Sequence, residues 1–413
     1  MALNLYWLNK VCSFAEQQGR IPIFWDDMPF KYAGLWDSVH RGQQDTEEET
    51  AKIWQQGLPK LNKMIELFPQ NAVHMNWNYR VTRYPGNYRV LDWYREQGRK
   101  VMIATSTQTT TGLMPSADRV PIIKMFIELA NEYGINGVLC TAWDDTSPHM
   151  ETYWRGFIAT AEYSWSPNRK DIDQFYSAFL QREFGPECIG YESIFEDLYQ
   201  TAVFWNEAFN PSGNRRSIDN ALLELPGLAH WKKPSELKVE KQINFKERLI
   251  DLPDLSKPGA WGQKYEQRLK QAEEEAMRYK KTSKQLTELI KKSRRNRYFW
   301  QVFQVINDFQ ITTPHLLLAL KKCDTEDEER QKAGFEHVRT VLSGFESAWA
   351  NLEHVFAKTR FISYPENYVQ DRYYHFASQR EDISYMKQVE ELYHPMVRKW
   401  LAEVKVRNVV NVL

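Results

Sequence analysis

Two short segments of the chain repeat one order of residue types: an apolar run, then a tryptophan, then two carboxylates. The run IPIF ends on WDD at Trp25–Asp27, and the run GVLCTA ends on WDD at Trp143–Asp145. Carboxylates accept hydrogen bonds from hydroxyl groups, and an indole offers a flat apolar face to the C–H side of a sugar ring. Because 14% of the residues are aromatic, the pattern favours a sugar pocket. The alternative is Trp packing beside solvated Asp side chains.

Strands and helices alternate over the first 165 residues, which places these segments in a fold. Short apolar runs and amphipathic segments that end on glycine predict the elements. The predicted strands cover 21–25, 72–77, 100–105 and 137–143, and the predicted helices cover 3–18, 47–67, 90–98 and 121–134. Strands separated by helices of this length indicate βαβ units and a parallel sheet.

The number of these units decides the fold class. A (β/α)8 barrel of the TIM type needs eight units, and this sequence shows about four. We therefore expect an α/β fold in which residues 1–167 are the last four units of such a barrel, or else a small open sheet complete in itself. The sequence then predicts a helical extension (168–218), a linker or packed loop (219–262) and an all-α helical bundle (263–413).

Binding and catalytic residues of parallel barrels lie at the carboxyl ends of the strands. The residues at and after the four predicted strand ends are Trp25, Asp26 and Asp27; Trp77, Asn78 and Tyr79; Thr105, Ser106, Thr107 and Gln108; and Trp143, Asp144 and Asp145. Three strands thus place a Trp at the same edge, where indole rings would wall a pocket and polar side chains would bind hydroxyl groups. We expect Asp27 and Asp145 to face that pocket.

The charge balance argues against a nucleic-acid partner. Lys and Arg total 54, as do Asp and Glu, and the basic run KKSRRNR at 291–297 is typical of a solvated helix face. No apolar run approaches the roughly 20 residues of a membrane span. Residues 1–20 lack the basic start and apolar centre of a signal peptide, and the sequence predicts no particular compartment.

Metal and redox chemistry are not predicted. The four cysteines stand far apart and form no C-x-x-C pattern: Cys12, Cys140, Cys188 and Cys323. His74 and His149 are isolated, and the sequence contains no H-E-x-x-H pattern. Clustered Asp side chains can bind Mg²⁺ or Ca²⁺, which stays an alternative. We expect neither a metal nor a cofactor.

Residues 3–167 resemble the C-terminal half of a family 20 glycoside hydrolase barrel, the fold of the β-N-acetylhexosaminidases. The fifth strand of that family ends in a pattern like IPIFWDDM, and its eighth strand carries W-x-E before a helix reading roughly P-R-x-x-A-x-A-E-x-x-W. Here Trp143 and Asp145 take the W-x-E positions. The helix YWRGFIATAEYSW supplies the matching residues Arg155, Ala159, Ala161, Glu162 and Trp165. The helical C-terminal region is similar to an extra domain that some members carry.

The resemblance implies substrate-assisted retaining hydrolysis, which removes a terminal N-acetylhexosamine, either GlcNAc or GalNAc. In this scheme the acetamide oxygen of the substrate attacks the anomeric carbon, and a Glu protonates the leaving oxygen. By matched position, Trp25, Trp77 and Trp143 would line the sugar pocket, and Asp145 would bind the outer hydroxyl groups. The implied partner is a carbohydrate with a terminal N-acetylhexosamine.

This sequence departs from the family pattern in three places. Asp145 is one methylene shorter than the family's Glu. The family's strand-seven Tyr has no match in KVMIATSTQTTTG, so Tyr79 or Gln108 is the expected substitute. The segment H-x-G-G-D-E, which carries the acid/base Glu, is absent. We therefore expect that Glu upstream of residue 1, and this chain alone to be inactive and poorly soluble or self-associating, through the helical domain or the open barrel edge.

Two other functions stay open. One is a non-catalytic carbohydrate-binding protein that keeps the aromatic pocket without the acid. The other is a hydrolase resembling glycoside hydrolase family 84, whose substrate-assisted chemistry uses two adjacent Asp residues. In that case Asp26 and Asp27 would be the catalytic pair.

Overall fold

The computed structural model of the chain describes residues 2–108, 113–143, 149–166, 171–209, 249–360, 362 and 386–410. These residues form two compact units. The first unit contains Met1–Thr109, Arg119–Trp143 and Tyr153–Tyr176, and the second contains Thr110–Asp118, Asp144–Thr152 and Ser177–Leu413. The described part of the first unit mixes strands with helices, whereas that of the second unit is helical.

The first unit contains a four-stranded parallel sheet in the order β1-β2-β3-β4. Its strands are β1 (Ile23–Trp25), β2 (Val73–Trp77), β3 (Lys100–Gln108) and β4 (Val138–Ala142). Its helices are α1 (Ala2–Gln17), α2 (Asp27–Ala33), α3 (Trp36–His40), α4 (Glu47–Ile65), α5 (Pro85–Glu96), α6 (Val120–Glu132) and α7 (Trp154–Trp165). The predicted parallel sheet is therefore confirmed. Closure into an eight-stranded barrel is not shown by the described residues.

The register of the sheet fixes which side chains share a face. Trp25 aligns with Met75, and Met75 aligns with Met102. Since side chains alternate along a strand, Phe24 and His74 lie on the opposite face. There His74 packs against Tyr94 of α5, with ring centroids 5.0 Å apart. The helices therefore cover the face of Phe24 and His74, and the face of Trp25 is the other one.

Helix α7 packs closely on the helix-covered face through a glycine. A Cβ atom at Gly156 would lie 2.6 Å from Cγ2 of Thr107 in β3. One turn later, the Thr160 hydroxyl donates to Sγ of Cys140 in β4 at 3.1 Å. Helix α7 thus lies over β3 and β4, with its amino end near the carboxyl end of β3.

Two short helices after β1 do not correspond to predicted elements. Helix α2 is seven residues long and ends on Gly34, whose φ of 81° is in the left-handed region where glycine costs little. Helix α3 is five residues long. Helix α5 also begins five residues before the predicted start, because Pro85 is favourable in the first turn of a helix.

The second unit confirms the predicted helical region. Its helices are α8 (Ile172–Glu183), which continues from the first unit, α9 (Ile194–Glu207), α10 (Ala260–Lys264), α11 (Glu266–Lys292), α12 (Arg297–Gln310), α13 (Thr312–Cys323), α14 (Glu328–Phe356) and α15 (Gln388–Val410). The core includes Leu316, Val338 and Tyr393, from three different helices. Leu249 and Ile250 also pack there, so the described end of the predicted 219–262 segment belongs to this core.

Beside that core, a buried carboxylate of α15 joins this helix to α9 and α13. Glu390 accepts hydrogen bonds from Nε1 of Trp205 at 3.2 Å and from the hydroxyl of Thr313 at 3.3 Å.

The remaining part of the predicted 219–262 segment lies outside the described residues. None of the helices in the described part of the chain is long and apolar enough to cross a membrane.

Candidate functional site

Three tryptophans lie at the carboxyl ends of the strands, on one face of the sheet. Trp25 ends β1, Trp77 ends β2, and Trp143 directly follows β4. Trp25 and Trp77 share a face because Trp25 aligns with Met75, two residues before Trp77. Leu139 aligns with Ala104, which also aligns with Trp77, so alternation along β4 brings Trp143 to the same face. We call this carboxyl edge, with its three Trp residues, the aromatic rim.

Tyr79 joins two of these tryptophans. Its ring centroid lies 4.9 Å from that of Trp77 and 6.4 Å from that of Trp143. Burial raises the pKa of the Tyr79 phenol, while hydrogen bonds with Thr141 and Trp143 lower it. Tyr79 is therefore a fixed part of the aromatic rim, and it holds Trp143 against the end of β2.

The exposed indoles of the rim are those of Trp25 and Trp143. Trp25 is 40% exposed and Trp143 is 45% exposed. Trp77 is instead packed on its own neighbours: the imidazole of His40 stacks on it at 4.1 Å, and Trp36 meets it edge-on at 5.8 Å. Trp25 and Trp143 can thus present a ring face to a ligand, and Trp77 supports the rim from within.

Asp26 is buried and points away from the aromatic rim. Its Oδ2 accepts hydrogen bonds from Nδ2 of Asn76 at 2.9 Å and from the hydroxyl of Tyr94 at 2.8 Å. Desolvation raises the pKa of Asp26 to about 7, against the lowering effect of those two bonds. Asp26 therefore joins β1 to β2 and α5 on the helix-covered face.

Asp27 is a carboxylate two residues after Trp25 of the rim. It begins α2, where a carboxylate is favourable near the amino end of the helix dipole, and its side chain is half-buried. Its charge raises the pKa of Asp26 and of Tyr79, and also that of Tyr94 on the helix-covered face. The adjacent Asp26 and Asp27 thus have different environments.

Gln108 brings a buried amide to the end of β3. Its side chain is fully buried, and neither Oε1 nor Nε2 has a hydrogen-bond partner among the described residues. Its backbone carbonyl accepts the N–H of Trp143 at 3.2 Å, next to a bulge in the pairing of β3 with β4. Gln108 therefore positions Trp143, and it has an amide whose hydrogen-bonding capacity the described protein does not use.

The other predicted rim residues have structural contacts or lie outside the described residues. Nδ2 of Asn78 donates to the hydroxyl of Tyr84 at 2.8 Å, and Oδ1 of Asn78 accepts the backbone N–H of Arg80. Three further side chains of β3 are buried: Thr105, Ser106 and Thr107. Asp144 and Asp145 are outside the described residues, so the predicted contact of Asp145 with sugar hydroxyls stays a prediction.

Neither isolated histidine belongs to a metal cluster in the part of the chain that the structure describes. His74 lies among aromatic rings, and burial lowers its pKa to about 3, so it is neutral at pH 7. His149 lies in the second unit, where its Nδ1 is 3.7 Å from Glu151. Glu151 also accepts from Arg360 at 3.1 Å, so its charge is balanced within that unit.

Sequence reasoning missed Trp36 and His40, which lie against Trp77. Both come from α3, where a spacing of four residues puts them on one side of the helix, with ring centroids 4.3 Å apart. The W-x-x-x-H spacing was the available signal. Their partner Trp77 is 37 positions after His40 and 41 after Trp36, and no local pattern indicates that contact.

Comparison with known proteins leaves the family open. No family model matches the chain, and no curated protein matches it in sequence. Among solved structures, the chain is similar to a family 138 glycoside hydrolase that targets pectin rhamnogalacturonan II, with 10% sequence identity and a TM-score of 0.41. The match covers 95% of this chain and 68% of that one. A TM-score this low assigns neither a family nor an activity to the chain.

Proposed function

We propose that the aromatic rim binds the terminal N-acetylhexosamine of a carbohydrate, as the sugar-binding part of a glycoside hydrolase site. The observation that supports this proposal is the placement of Trp25 and Trp143. Both indoles are half-exposed on one face of the sheet, at the edge where parallel α/β folds bind ligands. Trp77 and Tyr79 lie between them in the order of the strands and hold the rim in shape.

The polar groups at the rim suit a sugar that carries an amide. Asp27 can accept a hydrogen bond from a hydroxyl group. The Gln108 amide has the donor and acceptor that an acetamide group needs, because each has one N–H-bearing nitrogen and one carbonyl oxygen. Its side chain is fully buried at the end of β3, so this pairing requires the neighbouring side chains to move and expose it. The choice of N-acetylhexosamine rests on this complementarity and on the family 20 resemblance of residues 3–167.

The described contacts support sugar binding more directly than bond cleavage. Protonation of a leaving oxygen needs an acid within hydrogen-bond reach of the substrate. Asp26 has the raised pKa of such an acid, yet it is buried on the opposite face with Asn76 and Tyr94 as partners. The acid/base Glu of family 20 has no counterpart in this sequence, so the proposed role of this chain is to hold the sugar.

A second candidate function is hydrolysis by the pair Asp26 and Asp27. The pKa of about 7 favours it, because an Asp with that pKa keeps its proton near neutral pH. This function requires Asp26 to leave Asn76 and Tyr94 and turn toward the rim. Turnover of an aryl N-acetylglucosaminide by the chain, lost in both Asp26→Asn and Asp27→Asn, is the result that would support it.

Sugar titrations followed by Trp fluorescence test the proposed binding. We expect a saturable change with N-acetylglucosamine and a weaker one with glucose. Trp143→Ala should weaken binding by about 1 kcal/mol, roughly fivefold in Kd, the scale of an aromatic contact. Trp165→Ala is the matched control, since its indole is 90% exposed. It ends α7, nine residues or about 14 Å from Gly156, the residue that packs near the carboxyl end of β3.

Each outcome of the titration has a definite meaning. If the chain gives no saturable change with either sugar, the proposed function is wrong. If glucose binds as tightly as N-acetylglucosamine, the rim binds sugars but the Gln108 amide does not select the acetamide group. If Trp165→Ala weakens binding as much as Trp143→Ala, the indole of Trp143 is not the stacking surface.

A further inference from the structure

Helix α1 is apolar on two faces. Leu5 and Leu8 pack into the core of the first unit. The side chains on the other face are 55% to 69% exposed: Leu3, Tyr6, Trp7, Val11 and Phe14. The stripe contains one charge, the Lys10 ammonium, which lies 4.7 Å from the ring centroid of Tyr6 and 5.9 Å from that of Trp7. Because the opposite face of α1 already packs into the core, an apolar stripe of this extent is a candidate surface for a second covering element.

The sheet of the first unit also has two open edges in the described residues. In the described strands, β1 and β4 are the two edges, and each pairs on one side only. The edge strand β1 exposes Ile23 and Trp25, and β4 exposes Leu139. A parallel sheet with apolar side chains exposed on both edge strands is a template for another chain, because an open edge presents unpaired backbone groups.

We propose that a second copy of this chain covers these surfaces, so that two four-stranded sheets close one eight-stranded parallel barrel. A twofold axis along the barrel places β1 of one copy beside β4 of the other, and β4 beside β1. All eight strands are then parallel, and neither edge is left open. Four consecutive parallel strands per copy are the number that this closure needs.

The place of α1 in the chain, directly before β1, fits this arrangement. A helix that precedes a strand in a right-handed crossover packs over that strand and over the neighbouring strand before it. For α1 the neighbouring strand would be β4 of the partner copy. Helix α7 does not occupy that place, since Gly156 and Thr160 hold it over β3 and β4 of its own sheet.

The apolar area is large enough for a stable dimer. Five aliphatic and three aromatic side chains are exposed on α1, just before β1 and on the edge strands, not counting the two indoles proposed to contact the sugar: Leu3, Tyr6, Trp7, Val11, Phe14, Ile21, Ile23 and Leu139. At on the order of 100 Å² each, they supply about 800 Å² per copy, which is the area that each partner contributes to a standard interface.

Closure also changes the aromatic rim, in a step that rests on the proposed function. Because β1 of one copy lies beside β4 of the other, Trp25 of one copy and Trp143 of the other become neighbours at the same end of the barrel. The site would then have walls from both copies. The association itself does not depend on sugar binding, and the two are measured separately.

Sedimentation velocity of the full chain tests the association. The chain mass is 49.0 kDa, and we expect a species of twice that mass in the micromolar range. The double variant Trp7→Glu, Val11→Glu should sediment as a monomer, because it puts two charges into the covered stripe. Met277→Glu is the control, since Met277 is an exposed apolar side chain of α11 in the second unit. Circular dichroism checks that each variant keeps its helices.

Disulfide trapping tests the pairing of β1 with β4. A mixture of Ile23→Cys and Leu139→Cys chains should form a covalent dimer, whereas Ile23→Cys alone should not, because the two β1 strands lie across the barrel from each other. A monomeric wild-type chain overturns the proposal. A dimer that forms without the mixed cross-link, or that survives Trp7→Glu, Val11→Glu, overturns the barrel closure. Loss of sugar binding with the dimer intact leaves this proposal standing and contradicts the proposed function.

Discussion

The imidazole of His40 stacks on the indole of Trp77, with ring centroids 4.1 Å apart and an angle of 21° between the planes. His40 is buried, which lowers its pKa to about 4, so the ring is neutral at pH 7. Neither ring nitrogen has a hydrogen-bond partner among the described residues. The contact therefore uses His40 as a flat ring, and the rim is held by packing at this point.

Substitutions at His40 should separate its shape from its polarity. His40→Phe keeps a flat ring against Trp77 and removes two buried polar atoms, each of which costs about 1–3 kcal/mol when it has no partner. We expect His40→Phe to unfold at the same urea concentration as the wild type or a higher one. His40→Ala should lose about 2 kcal/mol or more, because it leaves a cavity beside Trp77. If both variants lose the same stability, a ring nitrogen makes a necessary bond and the packing argument is wrong.

Asp26 should make the stability of the chain depend on pH. The unfolded chain loses this proton near the ordinary pKa of 3.8, whereas the folded chain keeps it until about pH 7. Between those values the folded state binds more protons, so stability falls as the pH rises, by at most about 1.4 kcal/mol per pH unit. Asp26→Asn keeps an acceptor oxygen for Asn76 and Tyr94 and cannot ionise. Its stability advantage over the wild type should therefore grow from pH 5 to pH 7.

Urea unfolding at pH 5, 6, 7 and 8 measures this advantage. Asp37→Asn is the matched control, because the Asp37 side chain is 81% exposed and should show no such trend. An advantage of Asp26→Asn that is the same at every pH would show that the Asp26 carboxyl does not titrate in this window.

The strands and most helices of the first unit follow from local patterns in the sequence. The orientation of the rim residues follows only when the alternation of side chains along each strand is also applied. Side chains alternate between the two faces of a strand, so the adjacent residues Trp25 and Asp26 lie on opposite faces of the sheet. The two therefore cannot line one pocket. Helices α2 and α3 are seven and five residues long, which is two helical turns or fewer. So short a segment does not show a helical period in the sequence. The stacking of His40 on Trp77 joins residues far apart in the sequence, which periodicity cannot indicate.

Substitution of Gln108 by Leu should stabilise the fold and weaken sugar binding. Its buried amide has no described partner, so Gln108→Leu, which has nearly the same shape, should raise the free energy of unfolding by about 1 kcal/mol. If the amide pairs with the acetamide group of the sugar, the same variant should weaken binding of N-acetylglucosamine about tenfold and leave that of glucose unchanged. Urea unfolding and fluorescence titration measure the two effects. An equal loss of affinity for both sugars would show that Gln108 acts through the position of Trp143.

Two glycines inside helices should respond oppositely to alanine. Both positions gain helix propensity from the change, about 1 kcal/mol in favour of alanine. At Gly344 in α14, the new Cβ meets nothing within 4 Å, so Gly344→Ala should raise the free energy of unfolding by about that amount.

At Gly156 in α7, the Cβ would lie 2.6 Å from Cγ2 and 2.7 Å from Cβ of Thr107, so the helix must move away from β3. Overpacking of this kind costs about 1–3 kcal/mol, which outweighs the propensity gain. We therefore expect Gly156→Ala to unfold at lower urea than the wild type and to weaken sugar binding, because β3 also positions Trp143 through Gln108. A stabilising Gly156→Ala would mean that α7 does not pack on β3 as closely as these distances indicate.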